Sequence, residues 1–227
     1  MAADYRASDY WAQKARREQY PARSVYKLME LDAKFHLLAC CKGGRGVLDL
    51  GAAPGSWSLY VLRAFAKAAY AKAPVPNAMP PGITPQVPGV RAVDLAPLSR
   101  EYDRGLFAGA NFTFIQDDMT APSAMEAVRA GEPYGLVLSD AAPATTGNRT
   151  VDAARSLALV ETALRIAEDC LAPGGALAAK LFQGLDTAPL LARARAAFGT
   201  VRCFKPEACR ASSFETYMVC LSRLPSP

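Results

Sequence analysis

Short apolar segments alternating with helical patterns are the feature that most constrains the fold of this chain. Helical patterns fill several of the intervals, as in SWSLYVLRAFAKAAY (56–70) and in Arg155–Leu171, whose apolar residues fall on one face. Strands that alternate with helices predict an α/β fold with a mostly parallel sheet and helices on both faces. The final strand follows its predecessor after a short loop without a helix, so we expect it to run antiparallel. The strand-like segments are VLDL (47–50), VRAV (90–93), NFTFIQ (111–116), YGLVLS (134–139), the stretch after Pro173-Gly174-Gly175, TVRCF (200–204) and FETYMVCLS (214–222).

The first 45 residues precede this pattern and are predicted to form a helical segment. In PARSVYKLMELDAKF (21–35), apolar residues recur at helical spacing. The segment holds nine Lys/Arg and five Asp/Glu, so it contributes +4 to the formal net charge of +5. Such a balance weakly favours a polyanionic partner, and an ordinary solvated helix face explains it equally well.

Residues 66–89 do not fit a regular element. The range contains six prolines and no acidic residue. We predict that it extends the preceding helix and then continues as a long surface loop.

Composition excludes several classes of protein. No apolar run approaches the roughly 18 residues of a membrane span, and the N-terminus lacks the apolar stretch of a signal peptide. We therefore expect an intracellular protein without a membrane partner. The six cysteines form no CxxC pair, and His36 is the single histidine. We accordingly expect reduced thiols and no metal site, and a Ser-His-Asp arrangement would require His36 itself.

Polar residues follow the ends of four strands, where ligands bind in an open parallel sheet. After the first strand comes a glycine turn that permits close backbone approach to a ligand, and Pro54 within it removes one amide donor. Because this is not a GxGxxG pattern, it favours S-adenosylmethionine over a ligand bound through its pyrophosphate. Aspartates at three later strand ends could accept hydrogen bonds from that ligand, although each alone is also a common turn residue. They are Asp94, Asp118 and Asp140.

The motifs together resemble the FtsJ (RrmJ, RlmE-like) family of S-adenosylmethionine-dependent RNA ribose 2′-O-methyltransferases. The resemblance implies a Rossmann-like class I methyltransferase fold with a seven-stranded sheet, in which residues 46–223 form the catalytic domain. Residues 1–45 would then be part of the RNA-facing surface. The motifs are ARSVYKL (22–28), VLDLGAAPGSWS (47–58), LSDAAPATTG (138–147), VDAARSLALVE (151–161), LAPGGALAAKLFQG (171–184) and KPEACRASSFETYMV (205–219).

The resemblance also implies the site residues. The family's catalytic Lys-Asp-Lys-Glu tetrad matches Lys27, Asp140, Lys180 and Glu215. Two features depart from the family pattern: Ser56 stands where Gly is common, and the insertion at 66–89 makes the assignment of Asp94 less direct. The cofactor contacts implied are Gly51, Pro54, Gly55, Ser56, Trp57, Asp94, Asp118 and Asp140.

Lys180 raises a chemical question, because it lies within an apolar strand segment. A ribose hydroxyl becomes a good nucleophile as its proton is removed, and only a neutral lysine can accept that proton. Burial and a second ammonium nearby, that of Lys27, would both disfavour the charged form. Asp140 and Glu215 are therefore expected to orient the lysines and the hydroxyl. The alternatives are a snorkelling Lys180 on an edge strand and a Trp57 that belongs to the core.

The function predicted is ribose 2′-O-methylation of RNA, with large-subunit ribosomal RNA as the favoured substrate and a monomeric enzyme. Transfer RNA or the messenger cap, a non-catalytic RNA-binding assembly factor and a nucleotide-dependent oxidoreductase stay open as alternatives. The compartment would be the cytoplasm, or the nucleus or nucleolus of a eukaryote. RNA phosphates are expected to contact Arg16, Arg17, Arg23, Lys205 and Arg210, for each of which a surface ion pair is the equal alternative.

Overall fold

A computed structural model describes residues 2–71, 87–144, 146–210 and 213–225. Seven strands form one sheet: β1 (Gly46–Leu50), β2 (Val90–Asp94), β3 (Phe112–Gln116), β4 (Tyr134–Ser139), β5 (Leu171–Phe182), β6 (Phe198–Phe204) and β7 (Glu215–Arg223). The helices are α1 (Ala2–Arg17), α2 (Val25–Phe35), α3 (Ser56–Ala71), α4 (Pro122–Arg129), α5 (Arg149–Cys170) and α6 (Ala188–Ala197).

The strand order is β3-β2-β1-β4-β5-β7-β6. The pairs from β3 to β5 are parallel, and β7 runs antiparallel to both β5 and β6. This arrangement confirms the predicted mixed sheet with an antiparallel last strand. The chain turns from β2 and β3 on one side of β1 to β4 on the other, so the order reverses at β1. The carboxyl ends of β1 and β4 are therefore where a ligand is expected.

The two faces of the sheet bury separate apolar clusters, because successive side chains of a strand point in opposite directions. On one face, Val47 and Leu138 pack with residues of α2 and α3. On the other face, Leu48 and Leu177 pack with residues of α4, α5 and α6. The helix that carries Lys27 thus belongs to the same apolar core as β1 and β4.

Three elements differ from the sequence prediction. Helix α5 begins at Arg149 instead of Arg155, because Asn148 caps it by accepting bonds from the amides of Thr150 and Val151. Helix α4 was not predicted; it is eight residues long and follows a segment of turn composition. Strand β5 begins at Leu171, ahead of the Pro-Gly-Gly turn, and pairs there with Tyr134 of β4.

In the insertion, α3 continues to Ala71, as predicted. The loop predicted for residues 72–86 lies outside the described residues. None of the described helices combines the length and apolar character needed to cross a bilayer.

Candidate active site

The turn after β1 is pressed against neighbouring elements, so glycine is required there. Gly51 has a φ of +72°, and a Cβ at this position would lie 2.6 Å from the Cα of Ala141. Gly55 has a φ of +104°, and its Cβ would lie 2.9 Å from the Phe107 ring. Both conformations fall in the region that L side chains rarely adopt. The turn therefore presents backbone at the carboxyl end of β1, close to the residue that follows Asp140.

Asp94 joins the end of β2 to this turn. Its Oδ2 accepts a hydrogen bond from the Ala53 amide at 2.8 Å, and its Oδ1 accepts one from the Ala96 amide at 2.8 Å. The structure thus places Asp94 beside the glycine turn, although the insertion separates them in sequence. Each carboxylate oxygen retains a second lone pair for a ligand hydroxyl.

Asp118 lies further along the same edge, after β3, and is exposed. It accepts bonds from the amide and the hydroxyl of Thr120 at 2.8 Å and 2.7 Å. These hydrogen bonds stabilise the carboxylate and lower the pKa of Asp118.

Two of the residues predicted to contact the cofactor use their polar atoms to hold the N-terminal segment. Ser56 is buried, and its hydroxyl accepts a bond from the Ala22 amide at 2.7 Å. Trp57 is also buried, and its indole N–H donates to the Ser24 carbonyl at 2.8 Å. The core position kept as an alternative for Trp57 is therefore the one that the structure shows, and a cofactor contact of these two residues stays a prediction. Pro54 is half-buried between Gly51 and Gly55.

The four tetrad residues converge, although they come from distant parts of the chain. The Lys180 Nζ lies 3.0 Å from Asp140 Oδ1 and donates to the Asp140 carbonyl at 2.5 Å. The Lys27 Nζ forms an ion pair with Glu215 Oε1. The hydroxyl of Tyr217 lies between the two pairs, 2.7 Å from Asp140 Oδ1 and 3.0 Å from Glu215 Oε1. One continuous network therefore connects both lysines through two carboxylates and a phenol.

Tyr217 is the member of this network that the sequence did not reveal. It occupies an apolar strand pattern and is fully buried, which is typical of a core aromatic residue. The only sequence signal was its alternation with Glu215, which places both on the same face of β7. Burial and the two nearby carboxylates raise the pKa of Tyr217 well above that of a free tyrosine. The hydroxyl therefore keeps its proton and serves as a donor.

Comparison with known proteins identifies the family of this chain. The family model for FtsJ-like methyltransferases matches residues 20–223. The chain belongs to this family. It is 47% identical to the ribosomal RNA large subunit methyltransferase E of Treponema denticola, over 95% of this chain and 94% of that one. It is 41% identical to the protein of the same name from Nitratidesulfovibrio vulgaris, over 94% of this chain and 93% of that one.

A solved structure supports the fold. The crystal structure of a ribosomal RNA methyltransferase from Plasmodium falciparum superimposes with a TM-score of 0.67. It is 23% identical and covers 91% of this chain and 100% of its own. The Rossmann-like methyltransferase fold predicted from the sequence is thereby confirmed, and membership of a methyltransferase family excludes the oxidoreductase alternative.

Charges in this FtsJ-like site are nearly balanced, and the two lysines differ in their surroundings. Burial lowers the pKa of Lys27, but Asp140 and Glu215 more than offset this effect, so the pKa is raised overall. Lys27 therefore remains an ammonium ion. Lys180 lies on β5, a central strand, with its amine held by Asp140, which excludes the snorkelling edge-strand alternative.

Beneath the glycine turn lies a buried acid outside the tetrad. Asp49 alternates with Leu48 and Leu50 along β1, so its side chain points toward α3, where the Ser58 hydroxyl donates to Oδ2 at 2.7 Å. Its Oδ1 has no partner among the described residues. Burial raises the pKa of Asp49 to about 7, and the negative charges of Asp140 and Asp94 act in the same direction.

The five cations predicted to contact RNA fall into two groups. Arg16, Arg17, Lys205 and Arg210 are exposed. Arg23 is half-buried, and its guanidinium donates to the Ala208 carbonyl at 2.9 Å. Arg23 thus helps to hold the loop that leads to Glu215.

The same loop is held a second time by Glu30 of α2. Its carboxylate accepts bonds from the amides of Glu207 and Ala208 at 2.6 Å and 2.8 Å. These contacts fix the approach of the loop to Glu215 relative to the helix that carries Lys27. In the described ranges, no cluster of three His, Cys, Asp or Glu side chains is suited to hold a metal ion.

Proposed function

We propose that this protein transfers a methyl group from S-adenosylmethionine to a ribose 2′-hydroxyl of large-subunit ribosomal RNA. The observation that carries the proposal is the continuous network from Lys180 through Asp140, Tyr217 and Glu215 to Lys27. Such a cluster of amines and carboxylates can hold a hydroxyl and remove its proton. The names of the relatives reported above specify ribosomal RNA of the large subunit, which favours that RNA over transfer RNA or a messenger cap.

The charges around the glycine turn suit S-adenosylmethionine. Bound there, it supplies a methyl group on a sulfonium and carries an additional ammonium. Three carboxylates surround this end of the sheet, those of Asp49, Asp94 and Asp140, and the charges of the last two raise the pKa of the first. The Oδ1 of Asp49 is buried without a partner among the described residues, and the Asp49 carboxyl, whose pKa is raised to about 7, is only partly ionised at neutral pH. A ligand that carries a sulfonium and an ammonium against a single carboxylate therefore fits the site better than a dinucleotide, whose pyrophosphate the carboxylates would repel.

Within this proposal, the two lysines have different roles. Lys180 accepts the proton of the ribose hydroxyl in its neutral form, and Asp140 orients its amine at the carboxyl end of β5. Lys27 stays protonated, as the raised pKa of its amine requires, and its ammonium stabilises the negative charge that develops on the oxygen. Asp140 and Glu215 orient the amines, and Tyr217 fixes the distance between the two carboxylates. Much of the acceleration then comes from positioning.

The N-terminal segment completes the RNA-facing surface in this proposal. Arg16 and Arg17 of α1, with Lys205 and Arg210 of the loop before β7, are exposed cations suited to contact phosphate. We place the reaction in the bacterial cytoplasm, since the relatives named above come from bacteria. We also propose that one chain suffices, because all four tetrad residues come from it.

The test measures methyl transfer from labelled S-adenosylmethionine and maps 2′-O-methyl sites in total RNA with and without the protein. Lys180→Ala is expected to lower kcat by roughly 10²- to 10⁴-fold, the contribution typical of a general base, with cofactor affinity unchanged within a few-fold. Lys67→Ala is the matched control, because this exposed lysine lies toward the end of α3 farthest from the glycine turn. Normal methylation by the Lys180→Ala protein would contradict the role of base. RNA binding without methyl incorporation by the unmodified protein would instead favour a non-catalytic assembly factor.

A further inference from the structure

A groove that no predicted site residue lines opens beside the tetrad. It lies between the N-terminal turn of α5, the end of β5 and the segment before β7, and has a volume of about 400 Å³. That volume is within the roughly 300–1,000 Å³ of small-molecule pockets. Its walls include Arg149, Asp152, Phe182, Gln183 and Phe214. We call it the Phe214 groove.

An aromatic ring and a cation meet at the rim of this groove. Phe214 is 47% exposed, although a ring of this size is normally buried. The guanidinium of Arg149 lies 4.4 Å from the centroid of the ring. Arg149 forms no ion pair with any residue in the described ranges. A flat apolar surface next to an unneutralised cation matches the chemistry of a nucleotide, whose base stacks and whose phosphate is negative.

The walls of the groove are held in place by hydrogen bonds. The carboxylate of Asp152 accepts bonds from the amide and the hydroxyl of Thr146, both at 2.8 Å. On the opposite wall, the Gln183 amide donates to the Phe214 carbonyl at 2.8 Å. The groove therefore exists before a ligand arrives, which reduces the entropic cost of binding.

The sheet places this groove on the side of the tetrad opposite to the glycine turn. Phe182 pairs with Glu215, and Lys180 pairs with Tyr217, across the β5–β7 ladder. The glycine turn follows β1, which lies on the other side of β4 and therefore of Asp140. A molecule in the groove is thus adjacent to Glu215 and separated from the glycine turn by the tetrad.

We propose that the Phe214 groove holds the base of the nucleotide whose ribose is methylated, with the base stacked on Phe214 and Arg149 at the adjacent phosphate. This inference rests on the proposed function and specifies its substrate: the target nucleotide must be unpaired or turned out of a helix, because a stacked base cannot enter the groove. Phe214 is then a positioning residue that places the 2′-hydroxyl at the tetrad.

The experiment uses a short synthetic RNA containing the nucleotide mapped for the wild-type protein. A second RNA has the same sequence but lacks the base at that nucleotide, with the ribose and its 2′-hydroxyl retained. Phe214→Ala and Phe214→Leu remove the aromatic plane, and Phe214→Trp preserves it. Leu224→Ala is the control, because Leu224 is 41% exposed and lies beyond the other end of β7.

On the intact RNA, we expect Phe214→Ala and Phe214→Leu to lower kcat/KM by about fivefold or more, mainly by raising KM for RNA. Phe214→Trp and Leu224→Ala stay within about twofold of wild type, and cofactor affinity is unchanged in all four. On the abasic RNA, wild type falls to the level of Phe214→Ala, and the substitution causes no further loss.

Two results overturn the assignment. One is full activity of the Phe214→Ala variant on an intact RNA that the wild-type protein methylates. The other is an equal loss of kcat/KM from Phe214→Ala on the intact and the abasic RNA. That result would assign Phe214 a role in holding Glu215 instead of the base. A wild-type protein that methylates no RNA would refute the proposed function itself, and the base site with it.

Discussion

The buried acid beneath the glycine turn makes a quantitative prediction about stability. Asp49 has a pKa of about 7 in the folded protein, against 3.8 for an unperturbed aspartate. Between these values the folded state binds a proton that the unfolded state has lost, so the free energy of unfolding falls as pH rises through this interval. At about 1.4 kcal/mol per pH unit, the full interval corresponds to about 4 kcal/mol. Between pH 5 and pH 8 the free energy of unfolding falls by about 2 to 3 kcal/mol, and most of this decrease occurs below pH 7.

Asp49→Asn removes this ionisation with little change in shape. The carboxamide oxygen can still accept the bond from Ser58, so the variant should be about as stable as wild type at pH 5. It should exceed the stability of wild type by about 2 to 3 kcal/mol at pH 8, because wild type then holds a buried carboxylate. Urea unfolding at half-unit steps of pH measures the difference, and subtracting the two curves cancels titrations that both proteins share.

Ser58→Ala provides an independent check. The Ser58 hydroxyl favours the ionised form of Asp49, so its removal raises the pKa of Asp49 further and extends the loss of stability to higher pH. A difference between wild type and Asp49→Asn that does not depend on pH would refute the reasoning. So would a Ser58→Ala protein whose loss of stability ended at a lower pH than that of wild type.

Two further predictions concern the network and the turn. Tyr217→Phe removes the donor shared by Asp140 and Glu215, so we expect the free energy of unfolding in urea to fall by about 1–3 kcal/mol. We also expect a lower kcat, with cofactor affinity unchanged within a few-fold. An unchanged kcat would contradict the role given to the hydroxyl. Gly51→Ala should greatly weaken cofactor binding measured by calorimetry, because its Cβ would lie 2.6 Å from the Ala141 backbone. Gly174→Ala is its control, since Gly174 has a φ of +80° and no atom of the described residues lies within 4 Å of the added Cβ. An equal effect of the two substitutions on cofactor binding would show that the clash is irrelevant.

The architecture could be predicted because it depends on local patterns. Apolar runs of strand length and helical periodicities are properties of neighbouring residues, and all seven strands were found within a few residues. Helix α4 was missed because its sequence, PSAMEAVR, has only eight residues and too few apolar positions to set a period. The early start of α5 was missed because its first turn is mostly polar, although Asn148 is a typical N-cap residue.

The site could be predicted only in part. The aspartates were found because they lie at or just after the ends of strands, and the carboxyl ends of parallel strands meet at one edge. The tetrad residues were matched from motifs, without any information on distance. Phe214 was not singled out, because an aromatic residue at the start of a strand has the same sequence signature whether its ring is buried or exposed. Its exposure depends on what the rest of the chain leaves uncovered.

The sequence by itself determined that the chain forms a parallel-type α/β sheet with a glycine turn and acids at its strand ends, because these features depend on residues within a few positions of one another. Only the tertiary structure decided that Lys27 meets Glu215, 188 residues away in the chain. It alone also decided that Tyr217 connects two carboxylates and that Asp49 is buried with an oxygen that has no partner in the described part of the chain. The physical reason is that charge states and hydrogen bonds depend on distance and on exclusion of water, and both are set by the packing of elements far apart in sequence.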